Sequence, residues 1–146
     1  GADLIILGPG DLYTSTLAAV IVPGTGEALR KSPARVAHIV NLMTKYGQTH
    51  GFSAKTHVEE LSRYIGRSPD VVILNNARLP NAIMSRYTAE QEFPVEDDIT
   101  DSDGYTVLRD DFLAHEEIKK ASGDMLKRSL IRHDSGKLAY AIAGLL

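Results

Sequence analysis

The chain contains no cysteine, which excludes a disulfide framework and any thiolate metal site. It also lacks a long hydrophobic run: the longest, Leu17 to Pro23, falls far short of the roughly 20 residues a membrane helix needs. The charged n-region and apolar h-region of a secretory signal are missing as well. There is no basic excess either. Sixteen Lys and Arg stand against nineteen Asp and Glu, a formal charge of −3, so the footprint of a general nucleic-acid binder is absent. No internal repeat or low-complexity tract interrupts the sequence. These absences lead us to expect a cytoplasmic protein with neither a nucleic-acid nor a membrane partner; a homo-oligomer stays open.

What is present fits one folded unit spanning 1–146. The chain is 43% apolar and 24% charged, enough to build and solubilise a single core. Three continuous, β-branched runs, Leu4–Leu7, Val36–Asn41 and Val71–Asn75, read as strands buried on both faces. Shorter strands are predicted at Phe93–Val95 and around Thr106–Leu108. Between them lie helical patterns. Leu17 to Lys31 is broken at Pro23-Gly24-Thr25-Gly26; Ala54–Ile65 has Ser53 as its cap and Gly66 as its stop; Asn81–Glu92 follows; and a last helix begins at Asp134 or Ser135. Alternating strands and helices predict an α/β fold with a mainly parallel, Rossmann-like three-layer sheet. The acidic stretch 96–111 is expected to be a solvated loop or hairpin insertion. It is no EF-hand, because the first ligand position would be Ile99.

The most informative segment is Ala2 to Ser15. An apolar strand ends in Gly8-Pro9-Gly10, hydroxyls follow at Tyr13, Thr14 and Ser15, and a helix begins. Such a strand–turn–helix presents backbone N–H groups to an anion, and glycines allow close approach. A tight turn whose hydroxyls merely cap the helix is the alternative. The turn is neither a Walker loop nor a full dinucleotide fingerprint. Thr44 to Ser53 is a second loop following a strand, so it should meet the glycine turn at the carboxyl edge of the sheet. A buried strand opening at residue 2 further predicts a piece of a longer protein.

These segments resemble a family. Ala2–Ser15 resembles the glycine motif A-D-L-I-V-x-G-P-G-S-L-Y-T-S of the family that joins 2-phospho-L-lactate transferase (CofD) with the gluconeogenesis factor YvcK. Asn41–Ser53 matches the signature N-x-M-T-Q-x-G-E-T-D-G-[YF]-[ST], with His57-Val58 in the helix beyond, and Ile131–Asp134 resembles L-R-H-[ND]. The family's N-terminal half, with its G-G-G-T-G turn, has no counterpart here. The resemblance therefore implies the C-terminal portion of a larger CofD-like domain, with the missing half as a partner.

For function, the resemblance implies a regulatory protein binding a UDP-sugar or another nucleotide diphosphate, linked to carbon metabolism and cell-wall precursor supply. It implies ligand contacts at Gly8, Gly10, Tyr13, Thr14, Ser15, Asn41, Thr44, Thr49, Gly51, Tyr87 and Arg132. An arginine ahead of a helix start also suits bidentate phosphate recognition. The alternative is a phospholactyl transferase using a guanosine diphosphate donor, a deazaflavin acceptor and magnesium. Gln48 and His50 replace the usual glutamate and aspartate, which weighs against magnesium; otherwise no cofactor is expected. Asp11 replaces a serine and would repel a phosphate unless turned away. No catalytic residue is assigned, and His133 lacks a partner for a relay.

Overall fold

A computed structural model of the chain describes residues 1–114 and 129–146. Four strands form one sheet in the order β1-β2-β3-β4, all parallel. They are β1 (Leu4–Leu7), β2 (Arg35–Ile39), β3 (Val71–Asn75) and β4 (Thr106–Asp110). Leu4 pairs with Arg35, Ala37 with Val71, and Val71 with Thr106. Every strand therefore ends at the same edge.

The alternation of β2 and β3 sorts the core into two layers. Val36 packs with Leu12, Leu17, Leu61 and Ile65, and Val40 and Val72 pack with Ala54 and Val58. These partners belong to a π-helical turn (Leu12–Leu17) leading into α1 (Ala18–Val20), and to α3 (Ala54–Ile65). On the opposite face Ala37, Ile39, Val71 and Ile73 pack with Phe112 and with Leu138 of α5 (Ser135–Ala143). The three-layer α/β expectation is met: helices cover both faces of a parallel sheet.

Local chemistry sets the helix limits. Gly24, in the left-handed region at φ +88°, separates α1 from α2 (Thr25–Lys31). The Ser53 side chain accepts the Thr56 N–H at 3.2 Å to start α3, and left-handed Gly66 ends it. Asp134 caps α5 by accepting the Lys137 N–H at 2.9 Å. The third predicted helix is shorter than expected, α4 covering Asn81–Ala89.

Three expectations need correction. Leu4–Leu7 is not buried on both faces, because β1 is an edge strand and Ile6 is 41% exposed. Phe93–Val95 is not a strand of the sheet; Pro94 makes only an isolated antiparallel bridge with Met43. The stretch 96–111 is not a hairpin, because Thr106–Asp110 pairs parallel to β3 as the fourth strand. Its acids are compatible with this because β4 is an edge strand: Arg109 forms a forked pair with Asp97, at 2.6 and 3.1 Å, rather than entering the core. No helix among the described residues is long and apolar enough to cross a membrane.

Candidate functional site

Beyond the carboxyl edge of the sheet lies a cavity of about 640 Å³. Its walls come from the glycine turn (Pro9, Gly10, Asp11), from the segment after β2 (Asn41–Lys45), from α4 (Arg86, Tyr87, Glu90) and from residues 129–133. The size falls within the usual range for small-molecule sites, and the position is where open parallel sheets bind ligands. Of the residues proposed from sequence, the structure brings Gly10, Asn41, Thr44, Tyr87 and Arg132 to this cavity.

Gly8 shapes the turn rather than the wall. Its φ is +96°, and a Cβ there would sit 2.9 Å from the Ile39 carbonyl oxygen. Asn41 joins the two loops by donating its side-chain N–H to the Gly10 carbonyl at 3.0 Å. Thr44 is buried; its hydroxyl accepts the Phe93 N–H at 2.9 Å, and its N–H donates to the Phe93 carbonyl at 2.7 Å. Thr44 thus anchors the loop from within.

Tyr87 is only 7% exposed. Its hydroxyl accepts the backbone N–H groups of Leu130 and Ile131, both at 2.9 Å, and lies 3.0 Å from the Ser129 hydroxyl, which donates to the Ile131 carbonyl at 2.7 Å. With two acceptor positions filled, the Tyr87 hydroxyl donates to Ser129. Its hydrogen-bonding capacity is spent inside the protein, and the ring serves as wall. Arg132 follows directly: its Nε donates to the Ser129 carbonyl at 3.0 Å, and its backbone carbonyl accepts the Ala114 N–H at 2.9 Å.

The other sequence candidates lie elsewhere. Tyr13 donates to Glu60 on α3 at 2.7 Å; burial, and then that bond, raise its pKa to about 12. Thr14 and Ser15 are exposed beyond the turn. Thr49 is buried, its hydroxyl accepting the Lys45 N–H at 2.9 Å, and Gly51 turns the backbone at φ +73°. His50 packs edge-on against Tyr46 and Phe93, with Nδ1 3.3 Å from the Gln91 carbonyl. The glycine turn and the second loop do share one cleft, but the second loop contributes only its first residues, Thr44 and Lys45.

Sequence reasoning passed over Lys45, Arg86 and Glu92, and gave His133 no role, yet all four are in the wall. The signal for Lys45 was a lone cation in a loop otherwise made of neutral side chains. His133 is mostly buried; burial lowers its pKa to about 4 against a hydrogen bond to the Val40 backbone, so it is a neutral imidazole at pH 7. Among the described residues no group of three or more His, Asp or Glu is placed to hold a metal ion.

The fold and the cleft define an α/β protein with its candidate site at the carboxyl edge of a parallel sheet, and the comparisons make this specific. The family described as 2-phospho-L-lactate transferase CofD matches residues 1–113. The gluconeogenesis factor of Bacillus subtilis is 36% identical over 148 residues, 99% of this chain and 43% of that protein. A Thermotoga maritima protein provisionally given the same name is 41% identical over 141 residues, covering 97% and 43%. The crystal structure of a UPF0052 family member from Bacillus halodurans superimposes with a TM-score of 0.83 at 30% identity, over 97% of this chain and 43% of that one. The chain belongs to the CofD family, and its relatives include proteins named gluconeogenesis factor. It spans less than half the length of these relatives.

Proposed function

We propose that this chain supplies one wall of a nucleotide-diphosphate site, and that the longer protein of which it is part binds a UDP-sugar such as UDP-N-acetylglucosamine as a regulatory ligand in carbon metabolism and cell-wall precursor supply. The observation that carries this is the convergence of Gly10, Asn41 and Arg132 on one cavity at the carboxyl edge of the sheet. The glycine turn offers a close backbone approach, and the Arg132 guanidinium offers a planar fork suited to a diphosphate. Tyr87 contributes through the segment that it holds in place.

The missing partner is the rest of the same protein. β1 is an edge strand, yet all four of its residues are apolar and Ile6 is 41% exposed. An apolar edge left open would promote aggregation, so we read it as the seam to which the remainder of the relatives' length attaches. Mass spectrometry of small molecules that copurify with the full-length protein tests the ligand class. A uridine diphosphate sugar is the expected finding; a guanosine diphosphate compound would contradict it.

A further inference from the structure

Lys45 sits in the cavity wall immediately after Thr44, and its ammonium lies 2.8 Å from the Glu92 carboxylate. The Glu92 side chain is 9% exposed and that of Lys45 is 41% exposed. A carboxylate so enclosed is costly unless paired, so Glu92 needs its cation. The ammonium has three donors, however, and the pair occupies one. Lys45 also feels two further acids of the same cavity, Asp11 and Glu90. The hydrogen bond to Glu92 first, and then the charges of Glu92, Asp11 and Glu90, raise the Lys45 pKa against the pull of burial. Asp11, on the glycine turn, lines the same cavity. In the resemblance patterns these two positions are an uncharged serine and an uncharged glutamine. Here both are charged, with opposite signs, in one wall.

We propose that Lys45, held in position by Glu92, is a ligand-binding cation that offsets Asp11, and that the two form a charge-compensated pair receiving the anionic diphosphate of the ligand. This inference rests on the nucleotide-sugar reading above. An anionic ligand near Asp11 alone meets repulsion, whereas the Lys45 ammonium, although paired with Glu92, lessens that repulsion and still has donors for phosphate oxygens. If Lys45 served only to neutralise Glu92, removing it would lower stability without weakening ligand binding.

A double-mutant cycle in the full-length protein separates the two roles, with UDP-N-acetylglucosamine titrated calorimetrically. Lys45→Gln is expected to weaken binding by about tenfold, at the low end for a charge-assisted bond because Lys45 is partly exposed. Asp11→Ser should leave binding unchanged or tighten it, and Asp11→Ser/Lys45→Gln should return to within about threefold of wild type. A Lys45→Gln/Glu92→Gln variant leaves no unpaired buried carboxylate and should show the same weakening without unfolding. Unchanged affinity in Lys45→Gln, or a double Asp11/Lys45 variant as weak as Lys45→Gln alone, overturns the pairing while leaving the wider reading in place. Failure of the wild-type protein to bind UDP-N-acetylglucosamine overturns both.

Discussion

The Tyr87 hydroxyl accepts the backbone N–H of Ile131 at 2.9 Å, joining residues 44 positions apart. Through this bond and its twin to Leu130, a side chain on α4 fixes the segment that bears Arg132. Tyr87→Phe keeps the ring against Leu113 and Ile131 but strands a buried N–H. We expect a loss of about 1–3 kcal/mol in urea unfolding, the cost of an unsatisfied buried donor, together with weaker ligand binding. A variant as stable as wild type would show that the clamp is dispensable.

Gly8→Ala tests the turn. The substitution combines a left-handed backbone at φ +96° with a Cβ 2.9 Å from the Ile39 carbonyl oxygen. Neither can relax without moving the end of β1 or of β2. A destabilisation of about 1–3 kcal/mol is expected, seen as a lowered urea midpoint. Gly24→Ala, at φ +88° with open space around it, should cost less because only the backbone term applies.

Two fully enclosed histidines and the mostly buried His133 set the acid response. Burial lowers His38 to about 4 and His133 to about 4, and it lowers His57 as well. Their neutral forms are favoured in the folded state, while the unfolded chain takes up protons near pH 6.5. Their stabilising contribution is therefore complete above pH 6.5 and is lost as pH falls from 6.5 towards 4. The slope is at most about 1.4 kcal/mol per pH unit for each histidine. Urea midpoints measured at intervals across that window should decline steadily with acidification, and His38→Gln should flatten the profile. A flat wild-type profile would contradict the assignment.

The sheet was legible because its strands announce themselves. The observed limits of Leu4–Leu7 and Val71–Asn75 coincide with the expected ones because both are continuous apolar runs, although only Val71–Asn75 is buried between helices, while β1 lies at the sheet edge and is partly exposed. The run Val36–Asn41 shifts to Arg35–Ile39 because Asn41 leaves the ladder and turns its side chain to Gly10. The strand expected around Thr106–Leu108 is present as β4, but its end was harder to read: an edge strand next to solvent keeps charged residues such as Arg109 and Asp110, and these resemble a loop. The cavity was legible in its glycine turn but not in its far wall. That wall depends on an isolated bridge between Leu113 and His133 and on the ion pair between Lys45 and Glu92, contacts that no local periodicity encodes.

Arg132 should contribute more to binding than to folding. Its Nε meets only the Ser129 carbonyl among the described residues, so truncation removes little of the fold. Charge-assisted bonds to a diphosphate are each worth roughly 1.5–3 kcal/mol, so Arg132→Ala should weaken binding by about ten- to a hundredfold. Arg132→Lys should restore only part of this, because lysine keeps the charge and loses the planar fork. Equal affinities in all three proteins would remove Arg132 from the site.

The central proposal is that the cavity at the carboxyl edge belongs to a site that binds a nucleotide sugar as a regulatory ligand. It is tested most directly by calorimetric titration of the full-length protein with UDP-N-acetylglucosamine and, separately, with GDP in the presence and absence of magnesium. The account predicts saturable binding of the uridine ligand, weakened by Arg132→Ala and independent of magnesium. Preference for GDP, with magnesium-dependent turnover of a phospholactyl donor, would contradict it.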